Sequence, residues 1–207
     1  IRDRHIPWFV QTYMDKKGYE ELIQVIKNNN MLVMSTPFDN ASVDLIDSLD
    51  VDIIKIASCS ADDYPLIKRI CQSDKPVIIS TAGLNLSEID KAVGMLREYN
   101  MDFAIMHCVA LYPTPDGSLN LNQIDLLQKR YPDVTVGWST HESPDDYTTV
   151  QLAYAKGARI FERHVGMQSE IKALNAYSSE PKHVKHWIAA YQAAVANCGS
   201  VNRPPYL

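Results

Sequence analysis

Short apolar runs recur along the chain about every 25 residues, a spacing typical of βα units. Each run has the length of one strand and is rich in Ile and Val, with little polar alternation except near its end. Such continuity is typical of parallel strands covered on both faces. The runs are MLVMS from Met31, VDIIKIAS from Val51, PVIIST from Pro76, DFAIMHC from Asp102, VTVGWS from Val134 and ARIFERH from Ala158.

Segments with helical periodicity separate these runs and predict helices over 19–27, 42–49, 64–71, 87–99, 121–130, 145–155 and 181–196. Asn85 and Ser87 are candidate caps for one of them, and Gly157 is a natural helix stop. Six βα units indicate either part of a (β/α)8 barrel or an open doubly wound sheet. No GxGxxG follows the first strand, so a dinucleotide-binding sheet has no support. Reactive side chains end nearly every strand, which favours the barrel.

Composition narrows the class of protein. The 207 residues are 46% hydrophobic and carry a formal net charge of −5, which is typical of a soluble globular domain with a substantial core. This mild acidity disfavours nucleic-acid binding, and no apolar stretch is long enough to span a membrane. The 4 cysteines lack CxxC spacing, which predicts free thiols in a reducing, cytoplasmic compartment.

Polar side chains at the strand ends are the candidate chemistry. A single Ser or Thr after a strand is more often a turn or a helix cap. Recurrence at one end of successive parallel strands, however, predicts that these side chains surround one mouth. The polar ends are Ser35–Thr36, Lys55 with Ser58, Ser80–Thr81, His107, Ser139 with His141, and Glu162 with His164.

Lys55 lies within an otherwise apolar run, where an ammonium group is costly to bury unless an anion neutralises it. One interpretation is a side chain that reaches solvent at the rim. The other is an anion pocket, in which the nearby hydroxyls would suit a phosphate.

His141 and His164 end adjacent predicted strands. Spacing alone leaves open whether they are unrelated structural residues or ligands of one divalent cation. Two neutral imidazoles would suit Mn, Fe, Co or Zn, with water and substrate oxygens in the remaining positions.

Six motifs, in order, resemble those of the sialic acid synthase family, which includes enzymes of spore-coat polysaccharide biosynthesis. The resemblance extends from about Met31 to about Trp187. The motifs are STPFD from Ser35, YPLIKRI from Tyr64, KPVIISTAG from Lys75, MHCVALYPTP from Met106, GWSTHE from Gly137 and ERHVG from Glu162.

The resemblance implies a (β/α)8 barrel that condenses phosphoenolpyruvate with the open-chain aldehyde of an amino sugar. The products would be a nonulosonic acid and phosphate. It implies a homodimer and a divalent metal, most commonly Mn²⁺, held by His141 and His164, with Lys55 as a further catalytic residue. The phosphoenolpyruvate site would comprise Thr36, Lys55, Ser58, Ser80 and Ser139, and Tyr112 would lie beside the sugar.

Several positions depart from the family pattern. Ser60, Ala110 and Thr140 stand where the family usually has Glu, Asn and Asp, and Asn175 matches an Asp that helps to hold the sugar. The phosphate and metal positions are retained while sugar-facing positions change. We therefore expect an acceptor aldehyde other than N-acetylmannosamine.

The family also has two strands before STPFD, with AEIG-like and KFQ-like motifs, and a C-terminal antifreeze-like domain. None of these occurs in this sequence. We therefore expect an incomplete (β/α)8 TIM-type barrel of six βα units, from a longer natural chain. The predicted regions are an N-terminal lead and helix (1–30), the partial barrel (31–197) and a C-terminal tail (198–207).

Two alternatives remain open from the residues. Lys55 on a barrel strand would also suit a Schiff-base aldolase. The changed sugar-facing positions would also suit a non-catalytic barrel module that binds a phosphorylated ligand or a partner protein.

Overall fold

A computed structural model describes the protein at residues 6–169 and 173–200. Six parallel strands pair in chain order to form one curled sheet. The strands are β1 (Met34–Ser35), β2 (Ile53–Ile56), β3 (Val77–Ser80), β4 (Phe103–His107), β5 (Thr135–Thr140) and β6 (Ile160–Arg163). All six predicted strands are confirmed, and the sheet is an incomplete TIM-type barrel. The tail predicted from residue 198 falls largely on 201–207, outside the described residues.

Helices connect successive strands and cover the outside of the sheet. They are α1 (Ile6–Gln11), α2 (Lys16–Asn28), α3 (Asn40–Asp47), α4 (Tyr64–Ile70), α5 (Leu86–Glu98), α6 (Asn122–Arg130), α7 (Thr148–Ala155) and α8 (Pro181–Cys198). Local chemistry fixes several ends. Asn85 and Glu88 form a reciprocal capping box at the start of α5, and Gly157 takes a φ of 97° after α7, where a side chain would be strained.

Strand residues alternate between two environments, as the strand period of two requires. Ile54, Ile56, Ile79 and Trp138 belong to the buried apolar core that the helices complete. Full burial of such a side chain contributes about 1.5–3 kcal/mol to folding. The residues between them face the concave side of the sheet and include the polar ones. This alternation brings the candidate residues to one side of the sheet.

The two edge strands each pair with one neighbour among the described residues. β1 is shorter than the predicted run because only Met34 and Ser35 align with β2, while Met31 and Leu32 are exposed. Among the described residues, no helix is both long and apolar enough to cross a membrane.

Candidate functional site

Most of the predicted site residues occupy alternate positions opposite to the core residues of their strands. Lys55 lies between the core residues Ile54 and Ile56, and Ser139 follows the core residue Trp138. The same alternation carries Ser80 at the end of β3 and, beyond the ends of β5 and β6, His141 and His164. These side chains therefore share the concave face near the carboxyl ends of the strands, where TIM-barrel active sites lie.

Glu162 joins two of these residues. Its carboxylate lies 3.1 Å (Oε2) and 3.2 Å (Oε1) from Lys55 Nζ. Ser139 Oγ donates a 2.7 Å hydrogen bond to Oε1 of the same carboxylate. The Lys55 side chain is 8% exposed and that of Glu162 is 30% exposed. The anion that neutralises this buried ammonium is thus a side chain of the protein itself, a partner that the sequence did not reveal.

Four aromatic rings cluster at the ends of β5 and β6. The ring centres of His141 and His164 lie 5.1 Å apart. Tyr112 packs on His141 at 4.3 Å. Tyr177, from the loop after β6, contacts His141 at 5.7 Å and His164 at 4.9 Å. The structure therefore brings together the two histidines and Tyr112, and it adds Tyr177, which the sequence did not identify as a site residue.

Both histidines are suited to remain neutral. Burial, and then the neighbouring His164, lower the pKa of His141 to about 4. Burial also lowers the pKa of His164, although the Glu162 carboxylate opposes that shift. A neutral imidazole offers the nitrogen lone pair that metal coordination requires.

The donor set at these rings fits a divalent cation. The buried Nδ1 of His141 has no hydrogen-bond partner. The rings of His141 and His164 are neighbours, with centres 5.1 Å apart, so they would hold a cation with one nitrogen each. In the described part of the chain, no group of three or more His, Cys, Asp or Glu could hold a metal.

The remaining hydroxyls differ in their environment. Ser80 Oγ is buried without a hydrogen-bond partner, which costs free energy unless a ligand satisfies it. Ser58 Oγ accepts from the Ala82 N–H at 3.0 Å and lies 3.4 Å from Cys108 Sγ. Thr36 follows β1 directly and is half-buried.

Asn175 is an exposed residue of the loop after β6. Its Oδ1 accepts a 2.7 Å hydrogen bond from Ser178 Oγ, so its side chain braces the loop that carries Tyr177. The other departures lie near the strand ends: Ser60 and Thr140 are buried, and Ala110 is exposed.

His107 does not join the concave cluster, although it ends a strand as expected. It shares the alternate face of the core residue Ile105, and its Nε2 lies 2.8 Å from the carbonyl oxygen of Leu119. Burial lowers its pKa. The pairing of Ile105 with Val136 fixes this orientation, so the His107 side chain lies on the helix side of the sheet.

Fold and site together define an incomplete TIM-type barrel domain with a buried Lys–Glu pair and two neighbouring histidines at its mouth. Residues 3–203 match the NeuB family, and the chain belongs to that family. This agrees with the resemblance inferred from the motifs.

Individual relatives refine this result. The chain is 33% identical to N-acetylneuraminate-9-phosphate synthase of Drosophila melanogaster over 92% of this chain and 50% of that protein. It is 32% identical to N,N'-diacetyllegionaminic acid synthase of Campylobacter jejuni, over 83% of this chain and 52% of that protein. The chain thus spans about half the length of the curated relatives that it matches.

The crystal structure of a spore coat polysaccharide biosynthesis protein E from Chromobacterium violaceum superposes with a TM-score of 0.94. The two chains are 42% identical, and the match covers 98% of this chain and 60% of the other. The family assignment and the half-barrel therefore rest on both sequence and structure.

Proposed function

We propose that the protein condenses phosphoenolpyruvate with the open-chain aldehyde of an amino sugar, giving a sialic-acid-like nonulosonic acid and phosphate. Membership of the NeuB family and the sialic-acid and legionaminic-acid synthases among the relatives support this class of synthase. The observation that carries the proposal is the juxtaposition of a buried Lys55 with a pair of neutral histidines on one concave face.

Phosphoenolpyruvate would bind on the concave face beside the buried ammonium group of Lys55. The Lys55 ammonium and the Ser139 hydroxyl both contact Glu162, so an anionic substrate would displace this carboxylate from the two donors. The unpartnered Ser80 hydroxyl would supply a further donor. Once bound to these donors, the substrate would be oriented with its enol carbon towards the electrophile.

His141 and His164 would hold a divalent cation, for which we propose Mn²⁺. When bound there, the cation would polarise the aldehyde oxygen and make its carbon electrophilic. Tyr112 and Tyr177 pack against the two rings and would border the bound aldehyde.

The reaction balances with one water molecule. A carbon–carbon bond forms between the methylene carbon of phosphoenolpyruvate and the aldehyde carbon. Water adds to the former enol carbon, and the resulting tetrahedral centre expels inorganic phosphate. Lys55 stabilises the anionic groups throughout, while Glu162 limits the cost of burying its charge between turnovers.

The acceptor would differ from N-acetylmannosamine because several family positions that face the sugar are changed. Asn175 replaces a carboxylate, and its amide oxygen is bonded to Ser178. Ala110 carries no polar group beside Tyr112. An acceptor with fewer hydroxyls, or with acylated amines in their place, would suit these changes.

The proposal is tested by measuring phosphate release from phosphoenolpyruvate with the full-length protein and a panel of amino-sugar aldehydes. Parallel samples contain Mn²⁺ or a chelator. We expect release that requires both the aldehyde and the metal, with N-acetylmannosamine a poor acceptor. Release without aldehyde, or none with any aldehyde, would contradict the proposal, and the second result would favour a binding module.

A Schiff-base aldolase is less consistent with the site. Nucleophilic attack requires the uncharged amine of Lys55, whereas the pair with Glu162 suits the charged form. Borohydride treatment in the presence of pyruvate should therefore leave Lys55 unmodified. A trapped adduct on Lys55, detected by mass spectrometry, would reverse this conclusion.

A further inference from the structure

A buried ion pair joins the chain at the ends of β5 and β6, next to the two histidines in sequence. Arg163 Nη1 lies 2.9 Å from Glu142 Oε1, and the two side chains are 4% and 1% exposed. Glu142 directly follows His141, and Arg163 directly precedes His164. Arg163 lies in β6, where it points to the face opposite that of Glu162, and Glu142 lies in the bend just after β5. The pair therefore links the two histidine-bearing segments.

The pair is part of a larger set of hydrogen bonds. Thr149, in the first turn of α7, donates from Oγ1 to Glu142 Oε1 at 2.9 Å. Arg163 donates from Nε to Ser179 Oγ and from Nη2 to the carbonyl oxygen of Ser143 at 2.9 Å. The guanidinium group is thus fixed in direction by three acceptors, as its fork of donors allows.

Backbone hydrogen bonds also hold both histidines. The Ser179 N–H donates to the His164 carbonyl oxygen at 2.9 Å, and the Thr114 N–H donates to the His141 carbonyl oxygen at 2.9 Å. The Ser179 side chain therefore accepts a hydrogen bond from Arg163, and its backbone N–H donates one to His164. A shift of Arg163 would be transmitted to His164 over a single residue.

We propose that Glu142 and Arg163 are positioning residues, which set the separation of His141 and His164 for binding one divalent cation. This inference rests on the metal site of the proposed function. Stability alone does not explain the pair, because apolar residues of similar volume often replace a buried ion pair without loss of stability. The position of the pair does explain it, because each member is the chain neighbour of one histidine and their contact joins the two segments. Residues that support metal ligands from outside affect metal affinity.

The test is Mn²⁺ affinity, measured by electron paramagnetic resonance titration of the full-length protein at a temperature where circular dichroism shows each variant folded. We expect Glu142→Gln and Arg163→Met to weaken Mn²⁺ binding by about 10- to 100-fold. Arg163→Lys, which keeps the charge but not the three directed contacts, should weaken it less. If Arg163→Met does not fold, Glu142→Gln and Arg163→Lys decide the result.

Arg69→Met is the matched control. Arg69 pairs with Asp44 and Asp47 on the helical shell, with a side chain 21% exposed. Its loss should lower stability and leave the Mn²⁺ affinity unchanged.

Two failures are distinguishable. Variants of Glu142 and Arg163 that bind Mn²⁺ as tightly as the parent overturn the inference and leave the proposed function intact. A parent protein that binds no Mn²⁺ overturns the proposed metal site and this inference with it, whereas phosphate release tests the condensation itself.

Discussion

The two faces of the central strands differ in what they contribute. On the outer face, Ile54 and Trp138 are buried in a core of apolar side chains. On the concave face, their sequence neighbours Lys55 and Ser139 are equally buried but share the carboxylate of Glu162. Adjacent residues of one strand thus serve stability and proposed chemistry separately. Substitutions one position apart should therefore give different effects.

Buried polar atoms without hydrogen-bond partners lie on both faces. Thr140 Oγ1 and Glu142 Oε2 are on the helix side, and two others are on the concave side. Ser80 Oγ and His141 Nδ1 are buried without hydrogen-bond partners, and such groups cost about 1–3 kcal/mol each. Locally unfavourable features such as these are expected mainly at functional sites. Because the proposed ligands would reach only the concave pair of atoms, we expect them to stabilise that face selectively.

The largest effect is expected from removing a proposed metal ligand. His164→Ala should lower phosphate release by about 10³-fold or more, because the aldehyde would lose its polarising cation. His186→Ala is the control, since His186 lies on α8 and packs on Tyr147. An active His164→Ala variant would mean that this ring does not hold the catalytic metal.

The next effect separates two neighbours on β5. Trp138→Ala should lower the free energy of unfolding by about 3–5 kcal/mol, because it opens a cavity in the core. Ser139→Ala should cost only about 1 kcal/mol in stability and should instead reduce phosphate release. Urea unfolding and the phosphate assay on both variants check this. Equal effects of the two variants in both assays would remove the distinction between the faces.

Glu162→Gln should have an intermediate effect. Loss of the carboxylate leaves the buried Lys55 ammonium without its counter-ion, and we expect a loss of about 1–3 kcal/mol in stability. Inorganic phosphate should raise the melting temperature of this variant more than that of the parent, because the anion can replace Glu162 beside Lys55. A smaller phosphate effect in the variant would show that Lys55 is not the anion site.

The smallest expected effect is a pH dependence on the outer shell. The Arg130 guanidinium and the Tyr131 hydroxyl lower the pKa of Asp90 from 3.8 to about 2. Because the folded-state pKa is depressed, this stabilisation is complete above about pH 4 and is lost as the pH falls towards 2. The Asp90 side chain is 39% exposed, so solvent screening keeps the effect below about 1 kcal/mol.

Asp90→Asn should therefore be slightly less stable than the parent at pH 7 and no less stable at pH 2. Thermal unfolding at both pH values checks this. An equal deficit at both pH values would mean that the lost stabilisation is not ionic.

The sequence predicted the six strands because buried parallel strands are continuous apolar runs bounded by turn residues. It predicted that most of the polar candidate residues lie together, because the carboxyl ends of parallel strands meet at one end of a barrel. It did not predict the Lys55–Glu162 pair, whose members are 107 residues apart in sequence and meet only because the sheet curls. The sequence also did not predict which face of the sheet His107 points to, because that depends on the register between β4 and β5.

Tyr177 and α1 illustrate two further limits. Tyr177 lies in a loop outside any periodic pattern, so its contact with both histidines depends on the path of the chain after β6. α1 spans 6 residues, too few for a helical period to be recognised. The homodimer and the metal identity stay predictions of the family resemblance.

The most direct test of the central claim is anomalous diffraction from crystals of the full-length protein soaked with Mn²⁺ and phosphoenolpyruvate. The account predicts one Mn²⁺ peak within bonding distance of both His141 and His164, with the phosphate group beside Lys55. Mn²⁺ bound away from either ring, or phosphate bound on the helical side of the sheet, would contradict it.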